Sequence, residues 1–213
     1  YEADIPYVFR SILDNKMELY KDFKPKILAF DIETTSDGSF PDPLTDKIVS
    51  ISYYSKDFEK VTITRDFKKK HKYINSVSSE KELLEDFRKT INKFQPDILT
   101  GYNSDIFDLW FIKERATKNK VKLKLDPLNG EPIYTRGARN AKPVKINGIT
   151  HLDTYIFIRN ALAPSLKTNS LSLDNVAEEM LGQKKLELGV LPHEAWLDDS
   201  DENMNRFSEY NLL

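Results

Sequence analysis

No cysteine occurs in the 213 residues, which excludes disulfides, thiolate zinc sites and a cysteine nucleophile. Histidine is almost as scarce: His71, His151 and His193 are too scattered for a histidine-rich metal site. Any metal here would be a hard ion bound through oxygen. With 7 glycines and 10 prolines the chain is neither collagen-like nor a glycine-rich linker array. The longest apolar runs, such as Leu109-Trp110-Phe111-Ile112, have four residues, whereas a membrane span needs about 20. No apolar stretch follows a basic start, so no signal peptide is expected. The first residue is Tyr1 rather than methionine, which fits a processed chain or an excised piece. What is present, 39% apolar, 31% charged and 11% aromatic residues, describes a folded globular chain. At about 150 residues per domain, that is one domain or one and a half.

Charge of neither sign dominates, with a formal net of −2, but its distribution is uneven. Residues 111–145 hold ten Lys/Arg and three Asp/Glu, a local +7. The stretch Glu194–Glu209 holds six acids and one Arg. A basic segment on a near-neutral protein can hold an anionic polymer, although charge alone favours a solvated loop and helix face.

The periodicity predicts a short helix over residues 5–15 and strands over 26–32, 48–54 and 61–64, the three forming an antiparallel meander. Residues 36–46 are rich in turn formers and read as a loop. Ser79-x-x-Glu82 is a capping box. The helix behind it should bury Leu83, Leu84, Phe87, Ile91 and Phe94 and stop before Pro96. A fourth strand over 97–102 and a helix over 106–119, capped by Ser104 or Asp105, come next. Residues 120–148 read as a basic loop containing a hairpin. A short fifth strand over 149–152 precedes a helix opened by Asp153. Leu173, Val176, Ala177, Met180 and Leu181 keep helical spacing up to Gly182. A last helix runs from about Ser200 to the end. This order predicts one α/β domain with a mixed five-stranded sheet flanked by helices.

Asp31 and Glu33 close the first strand, where acids are uncommon. Residues i and i+2 of a strand share a face. Two adjacent carboxylates repel unless a cation lies between them, so a divalent ion is their natural partner; for an isolated D-x-E, a solvated strand end is the better explanation. Asp108 falls in the first turn of the helix after the fourth strand, near the edge that Asp31 occupies if the two strands run parallel. By itself it reads as an acid favoured by the helix dipole rather than as a ligand. Tyr210 reads as a packing aromatic on the last helix, Asp153 as an N-cap and His151 as a structural, hydrogen-bonded histidine.

Together, Phe30-Asp31-Ile32-Glu33-Thr34, Tyr102-Asn103-Ser104-Asp105-Ile106-Phe107-Asp108 and Tyr210-Asn211-Leu212-Leu213 resemble, in order and spacing, the three exonuclease motifs of family B DNA polymerases. Tyr1–Tyr7 resembles the segment that precedes this domain in archaeal members. His151–Tyr155 and Leu181–Lys185 also sit where those polymerases have similar residues. The resemblance implies a ribonuclease H-like fold, with residues 1–24 as a lead-in segment and 25–213 as a 3′→5′ exonuclease domain. It implies two-metal hydrolysis of the 3′-terminal phosphodiester of DNA, with Mg²⁺ or Mn²⁺. In that scheme Asp31 bridges both ions, Glu33 serves the ion carrying the attacking water, Asp108 serves the second, and Tyr210 orients the water. Asn103 and Phe107 contact the 3′-terminal nucleotides, and the basic segment, with Arg136, Arg139 and Lys142, helps to hold the strand.

The implied partners are a single-stranded or frayed 3′ end of DNA and the rest of a polymerase chain, with no membrane; the implied setting is the cytoplasm at the nucleoid. The family's third motif continues from Tyr through three residues to Asp, and here Leu213 is the last of the three. The fourth carboxylate and the polymerase half are therefore expected beyond it, and residues 1–213 alone should be impaired. The rival readings are a catalytically silent nucleic-acid-binding or scaffolding domain of the same fold, and a stand-alone nuclease taking its fourth carboxylate from Asp153.

Overall fold

The computed structural model describes residues 7–15, 22–36, 40–126, 130–134, 144–182, 192–198 and 200–212. The predicted meander is present. Strand β1 (Ile27–Thr34) pairs antiparallel with β2 (Ile48–Ser55), and β2 pairs antiparallel with β3 (Phe58–Ile63). A short strand β4 (Ile74–Ser76) adds parallel to β3 at the edge. On the other side of β1 lie β5 (Ile98–Gly101) and, beyond two short strands, β8 (Thr150–Asp153), both parallel to their neighbours. The sheet therefore has six strands, in the order β4-β3-β2-β1-β5-β8, not five. The additional strand is three residues long and lies at the sheet edge, paired with β3 alone. The short strands β6 (Ile133–Tyr134) and β7 (Val144–Lys145) form a separate antiparallel pair, the hairpin expected within the basic segment.

Helices cover both faces. Helix α1 (Tyr7–Asp14) precedes the sheet. Helices α2 (Glu80–Phe94) and α3 (Asp108–Lys118) bury Leu83, Leu84, Phe87, Ile91, Leu109, Phe111 and Ile112 with Leu28, Phe30, Ile32, Ile51 and Tyr53 of the sheet. Ser79 caps α2 by accepting from the N–H of Glu82, and Glu82 reaches back to the N–H of Ser78 at 2.8 Å. Helix α4 (Thr154–Phe157) follows β8 and runs on as a wider turn over Ile158–Leu162. Helix α5 (Leu173–Leu181) ends at Gly182, whose φ of +65° suits glycine. Helices α6 (Pro192–Leu197) and α7 (Asp201–Leu212) close the second face, where Ala195, Met204 and Phe207 pack on Val49, Ile63 and Ile74. Helical spacing did not make α5 a core helix: of its residues only Val176 is buried, and Met180 and Leu181 are exposed.

A buried ion pair ties these layers together. Arg115 of α3 donates to both carboxylate oxygens of Glu80 at 2.7 and 2.5 Å, and to the carbonyl of Pro43. Burial pushes the Glu80 carboxyl up, but Arg115, the Ile48 N–H and Asn119 outweigh it and hold it below the ordinary carboxylate range. The 40–47 loop is thereby fixed against α3.

Candidate active site

Strand alternation orients the first pair of acids. Along β1, Leu28, Phe30 and Ile32 are buried in the α2/α3 core, so Asp31 and Glu33 point to the opposite face. The register of β1 on β2 slips between Glu33 and Thr34, an irregularity of the kind that re-aims side chains beside sites. Because β1 and β5 are parallel, their C-terminal ends lie together, and the loop leaving β5 arrives beside Asp31.

That loop is built tightly. A Cβ on Gly101 would lie 2.8 Å from the Cβ of Ser104 and 3.0 Å from the carbonyl oxygen of Phe30, so only glycine lets the loop close onto β1. Asn103 takes the left-handed conformation, φ 66°. The carboxylate of Asp153 accepts from the backbone N–H groups of Asn103 and Asp105, both at 3.0 Å, and from those of Tyr155 and Ile156 at the start of α4. It therefore acts as the expected N-cap, and its oxygens are already committed to four N–H groups.

The expected cap of α3 is corrected. Phe107 occupies the cap position with no side-chain hydrogen bond, and neither Ser104 nor Asp105 caps the helix. Both lie upstream in the turn and are captured by other strands. Ser104 Oγ meets His151 Nε2 at 3.0 Å, and Asp105 accepts from the N–H of Val144 at 2.9 Å. Asp105 also lies 3.0 Å from His151 Nδ1, close enough for charge pairing but not aligned as a hydrogen bond. With a side chain 2% exposed, His151 is structural, as its sequence context suggested.

Asp108 is the unusual group. It is 2% exposed, and its Oδ1 has no hydrogen-bond partner. Burial first and the Asp31 charge second push its carboxyl well above the ordinary carboxylate range; the N–H groups of Asp108 itself and of Ile32 pull the other way. The structure thus brings Asp31 and Asp108 within electrostatic reach of one another. Glu33 shares the face of Asp31. Among the described residues no three His, Asp or Glu side chains already stand together as a metal cage.

A cavity of about 270 Å³ opens beside Asp31. Its floor is made of small residues on neighbouring strands, Ala29, Ser52 and Thr100, and Tyr54, Tyr102 and Tyr210 stand around it. Tyr210 is half-buried on the α7 core, so the packing role read from sequence holds, and it also faces the cavity that Asp31 lines. Within the Asn103–Asp108 segment, Phe107 is half-buried and touches Phe111 and Phe40, ring centroids 5.4 and 5.8 Å apart. Phe40 is 79% exposed and was not singled out from sequence. Arg136, Arg139 and Lys142 lie outside the described residues.

A sequence profile of the DNA polymerase family B exonuclease domain matches residues 15–176. The chain belongs to that family. It is 32% identical over 217 residues to a DNA polymerase of Pyrococcus glycovorans and 32% identical over 216 residues to one of Thermococcus gorgonarius, in each case over all of this chain and 26% of the relative. A DNA polymerase of Methanocaldococcus jannaschii is 29% identical over 225 residues, 13% of its length. The solved structure of the family B DNA polymerase of Pyrobaculum calidifontis superposes with a TM-score of 0.70 at 24% identity, over all of this chain and 30% of that one, and shows the fold. The chain therefore spans about a quarter of the length of the first two polymerases. The ribonuclease H-like α/β fold read from the motifs is the one found. Among the described residues no helix is long and apolar enough to cross a membrane.

Proposed function

We propose that residues 25–213, with 1–24 as a lead-in, form a 3′→5′ proofreading exonuclease that hydrolyses the 3′-terminal phosphodiester of DNA, acting at the nucleoid as part of a polymerase chain. The observation that carries the reading is Asp108: a buried carboxyl with an orphaned oxygen, beside a second carboxylate, Asp31. That arrangement raises the energy of the metal-free protein and fits a cation as the missing partner. A silent binding domain would be more stable with a neutral residue in this place.

Mg²⁺ or Mn²⁺ ions bound here would supply a nucleophilic hydroxide near neutral pH and offset charge on the leaving oxygen. Asp31, Glu33 and Asp108 would hold them, with Asp31 shared. Tyr210, facing the same cavity as Asp31, would orient the attacking water through its hydroxyl. Asn103 would contact the terminal nucleotides, and Phe107 with Phe40 would stack on or wedge between the bases. Asp153 does not serve as the fourth ligand, because its oxygens are occupied by backbone N–H groups. Residues 1–213 therefore hold three of the four carboxylates, and the polypeptide they form is expected to be impaired.

A crystal soaked in Mn²⁺ tests the reading: density is expected between Asp31 and Asp108, and ions found only elsewhere would refute it. The DNA grip is tested separately. Neutralising Arg136, Arg139 and Lys142 together should flatten the fall of single-stranded DNA affinity with salt by up to about 2 in the log–log slope, since each lost phosphate contact removes about 0.7. An unchanged slope would make the basic segment a solvated loop.

A further inference from the structure

The proposed mechanism uses Tyr210 but not the segment that grips its helix. Residues 64–73, between β3 and β4, run along α7. Three α7 side chains at four-residue spacing, Asp201, Asn205 and Glu209, share one helix face, and each takes hold of this segment. Asp201 accepts from the N–H of Lys68 at 2.9 Å. Asn205, buried, accepts from the N–H of Lys70 at 2.8 Å and donates to the carbonyl of Lys68 at 2.9 Å. Glu209 pairs with His71 Nε2 at 2.8 Å. At the start of the segment, Arg65 donates to the carbonyl of Trp196 at 2.6 Å and stacks over its ring at 4.2 Å, fixing α6 against the same helix.

The last of these grips is the one nearest the site. Glu209 is the residue before Tyr210, and the His71 ring is held in place by Tyr73, stacked on it at 4.9 Å with the planes 8° apart. Tyr73 and Tyr210 pack against the same cluster beneath α7. The first two grips fix the N-terminal two-thirds of the helix; the His71–Glu209 pair carries this segment's hold into its final turn, where Asn211 also donates to Ser50 Oγ at 3.4 Å.

We infer that His71 is a positioning residue: by holding Glu209 it fixes the last turn of α7 and so the placement of Tyr210 toward the Asp31 cavity. The role assigned to Tyr210 in this inference rests on the exonuclease reading; the mechanical link from His71 to Tyr210 does not. The pair is more than one-third exposed on both sides, so the effect belongs to the range of surface ion pairs.

The test compares His71→Ala, His71→Gln and Glu209→Gln with the parent chain. Gln retains an N–H donor where His71 presents Nε2. Two measurements need no activity: amide exchange along α7, and the ¹⁹F resonance of fluorotyrosine at position 210. His71→Ala should speed exchange at residues 208–212 about two- to five-fold, leave residues 201–205 unchanged and shift the position-210 resonance. His71→Gln should restore both. In a DNA-cleaving polypeptide that carries residues 1–213, His71→Ala should lower kcat about two- to five-fold with KM unchanged. An unmoved resonance in His71→Ala, uniform loosening of the whole domain, or no rescue by His71→Gln overturns the positioning role. If Tyr210 moves as expected but the parent polypeptide with its fourth carboxylate in place never cleaves DNA, the link stands and the exonuclease reading fails.

Discussion

In Mg²⁺, a polypeptide ending at Leu213 is expected to degrade single-stranded DNA slowly, and the same polypeptide lengthened by a turn or two of helix, with aspartate directly after Leu213, about a hundred-fold faster or more. Among the described residues, the two acids that hold the loop before Asp108 are already engaged. Asp153 grips the loop that leads to Asp108, and both its oxygens are held by backbone N–H groups. Asp105 is turned to Val144 and His151. Lengthening α7 would also move Tyr210 away from a frayed helix end, so the water-orienting hydroxyl and the missing ligand would be restored together. The control is Asp31→Ala in the lengthened polypeptide, which should lose at least about a thousand-fold, because groups that act as one unit fail together. Equal rates for the short and lengthened polypeptides would mean that a fourth carboxylate comes from within residues 1–213. Activity surviving Asp31→Ala would remove the site from this face of the sheet.

The acids of this site were legible in the sequence because they obey local rules. Asp31 and Glu33 break strand propensity while keeping strand alternation, so the sequence alone specifies the face they share. That Asp31 comes near Asp108 follows from the strands before Asp31 and Asn103 running parallel, as β1 and β5 do. What was not legible depends on partners distant in the chain. Phe40 sits in a loop whose composition says only turn, and its place beside Phe107 is set by Arg115 and Lys118 holding the carbonyls of Pro43 and Leu44, 72 and 74 residues away. Ser104 and Asp105 have good capping chemistry, and local rules assigned them to α3; His151 and Val144, reached through β8 and β7, took them instead. Strand β4 is set by its pairing with β3 and by the burial of Ile74 alone among its residues, and three residues carry no period. Met180 and Leu181 keep helical spacing yet stay exposed, because a period specifies a helix face without specifying what covers it.

In EDTA, Asp108→Asn should raise the stability of the domain while abolishing metal-dependent cleavage. The Asp108 carboxyl titrates well above its ordinary 3.8 because it is buried and faces Asp31. The native state therefore holds a proton that the unfolded chain releases. Between 3.8 and the folded value the native state binds more protons than the unfolded one, so stability falls as pH rises across that window. Below 3.8 both states are protonated and this contribution vanishes; above the folded value both are ionised and the full cost is present. Asn has nearly the same shape and no charge to desolvate, so its advantage should be absent at the acid end, grow through the window and level off. Near neutral pH a gain of a few degrees in Tm is expected, since about 1 kcal/mol is worth roughly 2–4 °C in a chain of this length. Mg²⁺ should then narrow the gap, because a ligand that binds only the native state stabilises it, and the parent protein keeps a carboxylate that the variant lacks. Thermal melts of the two proteins between pH 3 and 8, with EDTA and with Mg²⁺, make the comparison. A variant less stable than the parent at neutral pH, or a difference independent of pH, would show that Asp108 is a satisfied structural acid, and the functional reading would lose the observation that carries it.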